Sequence, residues 1–169
     1  MNRQARLIFG SAAALLLTNV VSADDRHADY RSWFGLSIVG SWEVEVTVRQ
    51  NAVDCPNSTP VGGVNPFPAL NTFHEGGTIS ETGSRSPPSR RSPGHGIWQR
   101  TGRNSYAARV RFQSFDANGF LSNNMDRTTN ITLSPDGMSF SAISRFRFSD
   151  LSGNALLSCA TMEGVRITL

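Results

Sequence analysis

Apolar and polar side chains alternate with a period of two along most of this chain, and that alternation restricts its fold more than any other feature. Trp42, Val44, Val46 and Val48 share one parity, while Glu43, Glu45, Thr47 and Arg49 take the other. Successive side chains of a β-strand point to opposite faces, so such a segment has one buried and one solvated side, as in an antiparallel sheet. The same pattern returns downstream. Tyr106, Ala108, Val110 and Phe112 oppose Arg109, Arg111 and Gln113, and Phe140, Ala142, Ser144, Phe146 and Phe148 oppose Arg145 and Arg147. Turn formers separate the segments, among them Gly76-Gly77, Asn118-Gly119 and Asp136-Gly137, which supply the backbone angles that tight hairpins require.

Eight strands follow from this pattern, and no long helical period interrupts them. Only residues 25–36, with Tyr30, Trp33 and Phe34, carry enough spacing for a turn or two of helix. Eight antiparallel strands strain a single open sheet. Closing them into an all-β, eight-stranded antiparallel up-and-down barrel removes the exposed edges and can leave room for one small ligand. A two-sheet sandwich is the competing solution, and the near-sequential hairpin spacing favours the barrel.

The first residues read as a processing signal rather than as part of that fold. Arg3 and Arg6 precede a short apolar run broken by Gly10, Thr18 and Asn19, and Val21-Ser22-Ala23 ends it with small residues. This is the layout of a secretory signal peptide over residues 1–23, too short and interrupted for a membrane span. An N-terminal segment, 24–38, and a barrel domain, 39–169, would follow. The expected location is exported, periplasmic or secreted. The mature chain would have about 146 residues, enough for one core. It would keep 14 arginines against 13 acidic residues, a net charge of +1 instead of +3. So even a balance, with no long basic run, argues against nucleic acid as a partner. No later segment is apolar enough to span a bilayer, and no oligomeric state follows from the pattern.

Cys55 and Cys159 are the two cysteines. In an oxidising compartment a lone pair most simply forms one disulfide; two free thiols are the alternative. Two cysteines and three scattered histidines lack the paired spacing of a zinc site, so no metal and no cofactor are expected.

Gly40-Ser41-Trp42 at the start of the first strand and Arg166 in the last resemble the Gly-x-Trp and late-Arg pattern of the calycin superfamily, the lipocalins, fatty-acid-binding proteins and avidins. The segments 68–82, 93–102 and 109–119 are similar to small secreted bacterial proteins described as lipocalin-like. The resemblance implies that Trp42 plugs the closed end of a barrel and that Arg166 packs across its ring. Both would then be structural rather than ligand contacts. It also implies a small apolar ligand, although some barrels of this shape are isomerases or cyclases.

Candidate chemistry is sparse. His95 lies between Gly94 and Gly96; near a barrel rim it could carry a proton, or the glycines could simply shape a corner around a polar side chain. His74 and Glu75 fall in a predicted turn, and His27 in the N-terminal segment. Residues 120–133 are unusually polar. If Met125 faces inward, Asn123 and Arg127 do too and give the interior a polar wall; if Asn124, Asp126 and Thr128 face inward, an acid lies inside instead. Arg109, Arg111, Arg145 and Arg147 read as a solvated outer face. Tyr106, Phe112, Met125, Arg127, Phe140 and Phe146 are the expected ligand contacts, with Phe148 on the same interior face. No nucleophile-elbow, zinc-protease, Walker or dinucleotide motif is present. An exported protein that holds a small apolar or aromatic molecule inside its barrel is the leading expectation. The alternatives are an acid–base isomerase, cyclase or lyase working from the cup, and an envelope interaction module using the loops 50–66 and 83–94.

Overall fold

The computed structural model describes residues 37–63 and 66–169. The strands are β1 (Gly40–Arg49), β2 (Phe67–Phe73), β3 (Thr78–Gly83), β4 (Gly94–Arg100), β5 (Ser105–Phe115), β6 (Leu121–Leu133), β7 (Ser139–Asp150) and β8 (Ala155–Arg166). A 3-10 turn, Pro88–Arg90, lies between β3 and β4. The sheet is a closed antiparallel barrel in chain order. β1 zips against β8 from Trp42 opposite Arg166 to Arg49 opposite Cys159, so no edge is left to pair with another chain. The sandwich alternative is not adopted. The leader expected at 1–23 and the helical turn expected at 25–36 lie outside the described residues. Among the described residues no helix is long and apolar enough to cross a membrane.

Two hairpins at the same end of the barrel share one construction. Asp116 Oδ1 accepts from the amides of Asn118 and Phe120, and Asp150 Oδ1 accepts from those of Ser152 and Asn154, all at 2.9 Å. The carboxylate replaces backbone acceptors that the tight turn cannot supply. The chain then needs a positive φ to re-enter the sheet, and Gly119 (φ 84°) and Gly153 (φ 88°) provide it.

One end of the barrel is plugged. Trp42, Phe73 and Phe140 are buried in it, with Trp98 packed against them. Their rings meet edge to face: Trp42 and Phe140 at 5.0 Å between centroids, Phe73 and Phe140 at 6.3 Å, Phe73 and Trp98 at 6.2 Å. Such pairs contribute about 0.5–1.5 kcal/mol each beyond area burial. Trp42 Nε1 donates to the Ile38 carbonyl at 2.9 Å, so the indole is buried without an orphaned donor. The Arg166 guanidinium caps the plug, 4.3 Å from the Trp42 ring, and donates to the carbonyls of Ser37, Val39 and Gly137.

The cysteines are joined. The Cys55–Cys159 disulfide ties the β1–β2 loop to β8 across 104 residues of sequence. Arg49 reinforces the tie by donating to the Ser58 carbonyl (3.1 Å) and to Thr161 Oγ1 (3.0 Å).

Candidate functional site

Beyond the aromatic plug the barrel widens into a cup. Strand parity alone brings Val46 and Val48 of β1, Phe67 of β2, Phe112 of β5, Met125 of β6 and Phe146 and Phe148 of β7 to the inside. They line a cavity of about 470 Å³ that also reaches Val61, Leu156 and Ser158. Four connections surround its mouth, those after β1, β3, β5 and β7. Cavities of about 300–1,000 Å³ with apolar walls and few polar groups are the usual form of small-molecule sites.

The base of the cup is polar. Asn71, Glu81, Arg127, Thr129 and Ser144 are the buried polar or charged side chains among the described residues. Thr129 and Ser144 satisfy one another at 2.8 Å between hydroxyl oxygens. Glu81 sits between two guanidiniums. Arg91 Nη2 donates to both of its oxygens (2.6 and 2.7 Å), and Arg127 Nη1 donates to Oε1 at 3.2 Å. Burial holds the Arg127 pKa below the ordinary guanidinium value; the Glu81 charge opposes that shift and the Arg91 charge adds to it. Two cations share one carboxylate here, which leaves an excess positive charge in a place where charge is costly.

Arg91 reaches this point from a loop rather than from a strand. The segment after Pro88–Arg90 folds back onto β5: the Ser92 amide donates to the Gln113 carbonyl and Gln113 returns its amide to Ser92 Oγ, both at 2.9 Å. Arg91 also bridges to Ser114. Its guanidinium then lies 3.7 Å from the centre of the Phe112 ring, which gives the charge an aromatic face to rest on.

The residues expected to touch ligand divide into two groups. Phe112, Met125, Arg127 and Phe146 line the cavity. Tyr106 and Phe140 also point inward but belong to the plug, with Tyr106 against Trp98 at 5.8 Å and Phe140 against Trp42, so the expectation that they line the cup is corrected. The open register of β6 resolves with Met125 and Arg127 inside. Asp126 faces out, where Arg109 Nε donates to it at 2.9 Å and Arg111 Nε at 3.3 Å.

His95 does not enter the cup. It is exposed on the outer face of β4, in a shallow hollow with Arg109, Arg111, Asp126 and Arg147. Its glycine neighbours take the opposite parity because they must. A Cβ on Gly94 would lie 2.8 Å from Val110 Cγ1, and one on Gly96 would lie 1.9 Å from the Arg109 carbonyl oxygen. The glycines serve the close approach of β4 to β5, and the imidazole is turned outward as a consequence. Among the described residues neither histidine, His74 or His95, lines the cup. His74 is likewise exposed, with Nε2 3.0 Å from Ser80 Oγ.

A broader depression of about 1,090 Å³ runs along the outside of the barrel, bounded by Glu43, Glu45, Leu70, Glu163 and Val165. Of the aromatics that wall the cup it borders only Phe67, and Glu81, Arg91 and Arg127 are not part of it. Among the described residues no group of three or more His, Cys, Asp or Glu side chains is arranged to hold a metal.

Glu81 and Arg91 are the site residues that the sequence reading passed over. Glu81 was open to it, since it shares the parity of Ile79, a charged residue on a face that should be buried. No periodicity could mark Arg91, which lies in a loop.

No protein-family model matches the chain, and neither does any curated protein. Among solved structures it is similar to Rv2717c from M. tuberculosis, at 12% identity and a TM-score of 0.38, over 78% of this chain and 93% of that one.

Proposed function

We propose that this protein is an exported binding protein whose barrel holds one small, mostly apolar molecule in the open half. The observation that carries this reading is the division of the interior. One half is packed with interlocked aromatic rings, whereas the other retains about 470 Å³ walled by Phe67, Phe112, Met125, Phe146 and Phe148. A protein that needed only a stable scaffold would gain by filling that space, since each unfilled methyl-sized gap costs about 1 kcal/mol. The Cys55–Cys159 bond supports an oxidising compartment, in keeping with a leader over residues 1–23.

Native mass spectrometry of protein recovered from the cells that export it tests the reading. A bound small molecule at one copy per chain is expected. A chain that emerges empty, and takes up no member of a library of apolar compounds, would overturn it.

A further inference from the structure

The charges at the base of the cup say more about the ligand than its apolar walls do. Glu81 and Arg127 are almost completely buried, and the Arg91 side chain is only 11% exposed. Their formal sum is one positive charge. Glu81 is already committed on both oxygens, since Oε1 receives both guanidiniums and Oε2 receives Arg91. Arg127 Nε has no hydrogen-bond partner among the described residues. A buried guanidinium donor left unsatisfied costs more than a neutral one, and an excess buried charge is costlier still. Both defects occur on one side chain, and that side chain lines the cavity. The fourth charged group on the lining is Arg85, which sits in solvent at the mouth. Among the described residues no second acid lines the cavity.

We infer that the ligand is a monoanionic amphiphile, whose carboxylate accepts from Arg127, and from Arg91 beside it, at the base of the cup while its apolar body lies against Phe112, Phe146 and Phe148. One negative charge neutralises the cluster. A dianion would leave an excess negative charge in the same dry place, and a cation would double the existing excess. The planar guanidinium also matches a carboxylate better than it matches a hydroxyl, because it offers paired donors in a fixed fork. This inference rests on the reading that the cup binds a small molecule, and it adds the class of headgroup.

The test compares decanoate, decyl phosphate, decanol and decylamine, each of ten carbons, by titration calorimetry on the oxidised protein at about pH 8, where the phosphate is a dianion. Charge-assisted hydrogen bonds to a desolvated group are strong enough to favour decanoate over decanol by roughly tenfold or more. Decylamine is expected to be the weakest, and decyl phosphate weaker than decanoate. In Arg127→Met, where Glu81 and Arg91 remain a one-to-one pair, the decanoate preference should fall to within about threefold. Arg91→Met, at a partly exposed position, supplies the same neutralisation should the first variant fail to fold. Equal binding of decanoate and decanol by the unmodified protein would overturn the carboxylate assignment and leave the binding reading intact. Tighter binding of the phosphate would overturn the monoanion. Binding of none of the four would overturn both readings together.

Discussion

Arg127 and Glu81, 46 residues apart in sequence, meet at 3.2 Å inside the barrel, and Arg91 closes on the same carboxylate from the rim. The cluster makes Glu81 the most sensitive charged position among the described residues. Glu81→Gln leaves two guanidiniums facing each other without a counter-charge, and breaking a buried pair in this way costs about 3–5 kcal/mol. Arg91→Met leaves one acid and one base together and should cost far less. Urea unfolding of the two variants checks this, and a Glu81→Gln midpoint equal to the parent's would refute the cluster.

Close packing of the plug gives a second expectation. Gly164 faces Phe140 across β7 and β8, and a Cβ there would fall 2.2 Å from the ring. Gly164→Ala should therefore destabilise by about 1–3 kcal/mol, because the Phe140 ring must leave its position against Trp42. Gly96→Ala should cost more, since the obstacle is the Arg109 backbone rather than a side chain. Gly102→Ala, whose nearest neighbour is Ser105 Cβ at 3.4 Å, should change little. Thermal melts of the three variants give the ranking.

The outer face responds to pH in two opposite ways. The Arg109 hydrogen bond holds the Asp126 carboxyl below its ordinary pKa, aided by the charges of Arg109 and Arg111 and opposed by partial burial. A depressed carboxylate contributes stability above its unfolded pKa and loses it as the pH falls through the folded value. Asp126→Asn should thus be the less stable protein at neutral pH and equal to the parent in acid. Burial, and then the charge of Glu45, raises Glu163. Its ionisation penalises the fold once the pH has risen past the folded value. Glu163→Gln should be the more stable protein at neutral pH, with the difference closing on acidification. Asp126 is partly buried and Glu163 exposed, and both lie on the solvent-facing side of the barrel, so screening limits each effect to about 1 kcal/mol or less. Melting temperatures across an acid-to-neutral series would show both signs.

Reduction should loosen the mouth of the cup. The Cys55–Cys159 bond closes 104 residues of sequence, and removing such a link typically costs about 2–5 kcal/mol. Cys55→Ala with Cys159→Ala should melt well below the oxidised parent and match the parent under reducing conditions. A double variant as stable as the oxidised protein would contradict the role given to this tie.

Parity was legible in the sequence and depth was not. The alternation through Trp42, Val44, Val46 and Val48 was enough to specify a strand, its buried face and, with seven more like it, a closed barrel. The same alternation assigns Tyr106 and Phe112 to one interior. It does not say that Tyr106 is walled in by Trp98 while Phe112 borders empty space. That division depends on where bulky rings from five different strands happen to coincide in height. Alternation alone leaves the register of β6 open, because Asn123, Met125 and Arg127 and Asn124, Asp126 and Thr128 are similarly mixed. The choice is made by cross-strand partners, with Arg109 and Arg111 outside waiting for Asp126. The glycines that flank His95 answer to the close approach of Val110 and Arg109 rather than to any demand of the imidazole.

Uptake of the neutral dye Nile red by the native, oxidised protein asks whether the open half of the barrel admits an apolar molecule. Ser158 points into the cavity from β8, so Ser158→Trp should fill it. The parent should bind dye saturably at one copy per chain, and the variant should bind none while keeping its strand content by circular dichroism. Dye binding that persists undiminished in the folded variant, or a parent that binds none, would show that the open half of the barrel is not the ligand site.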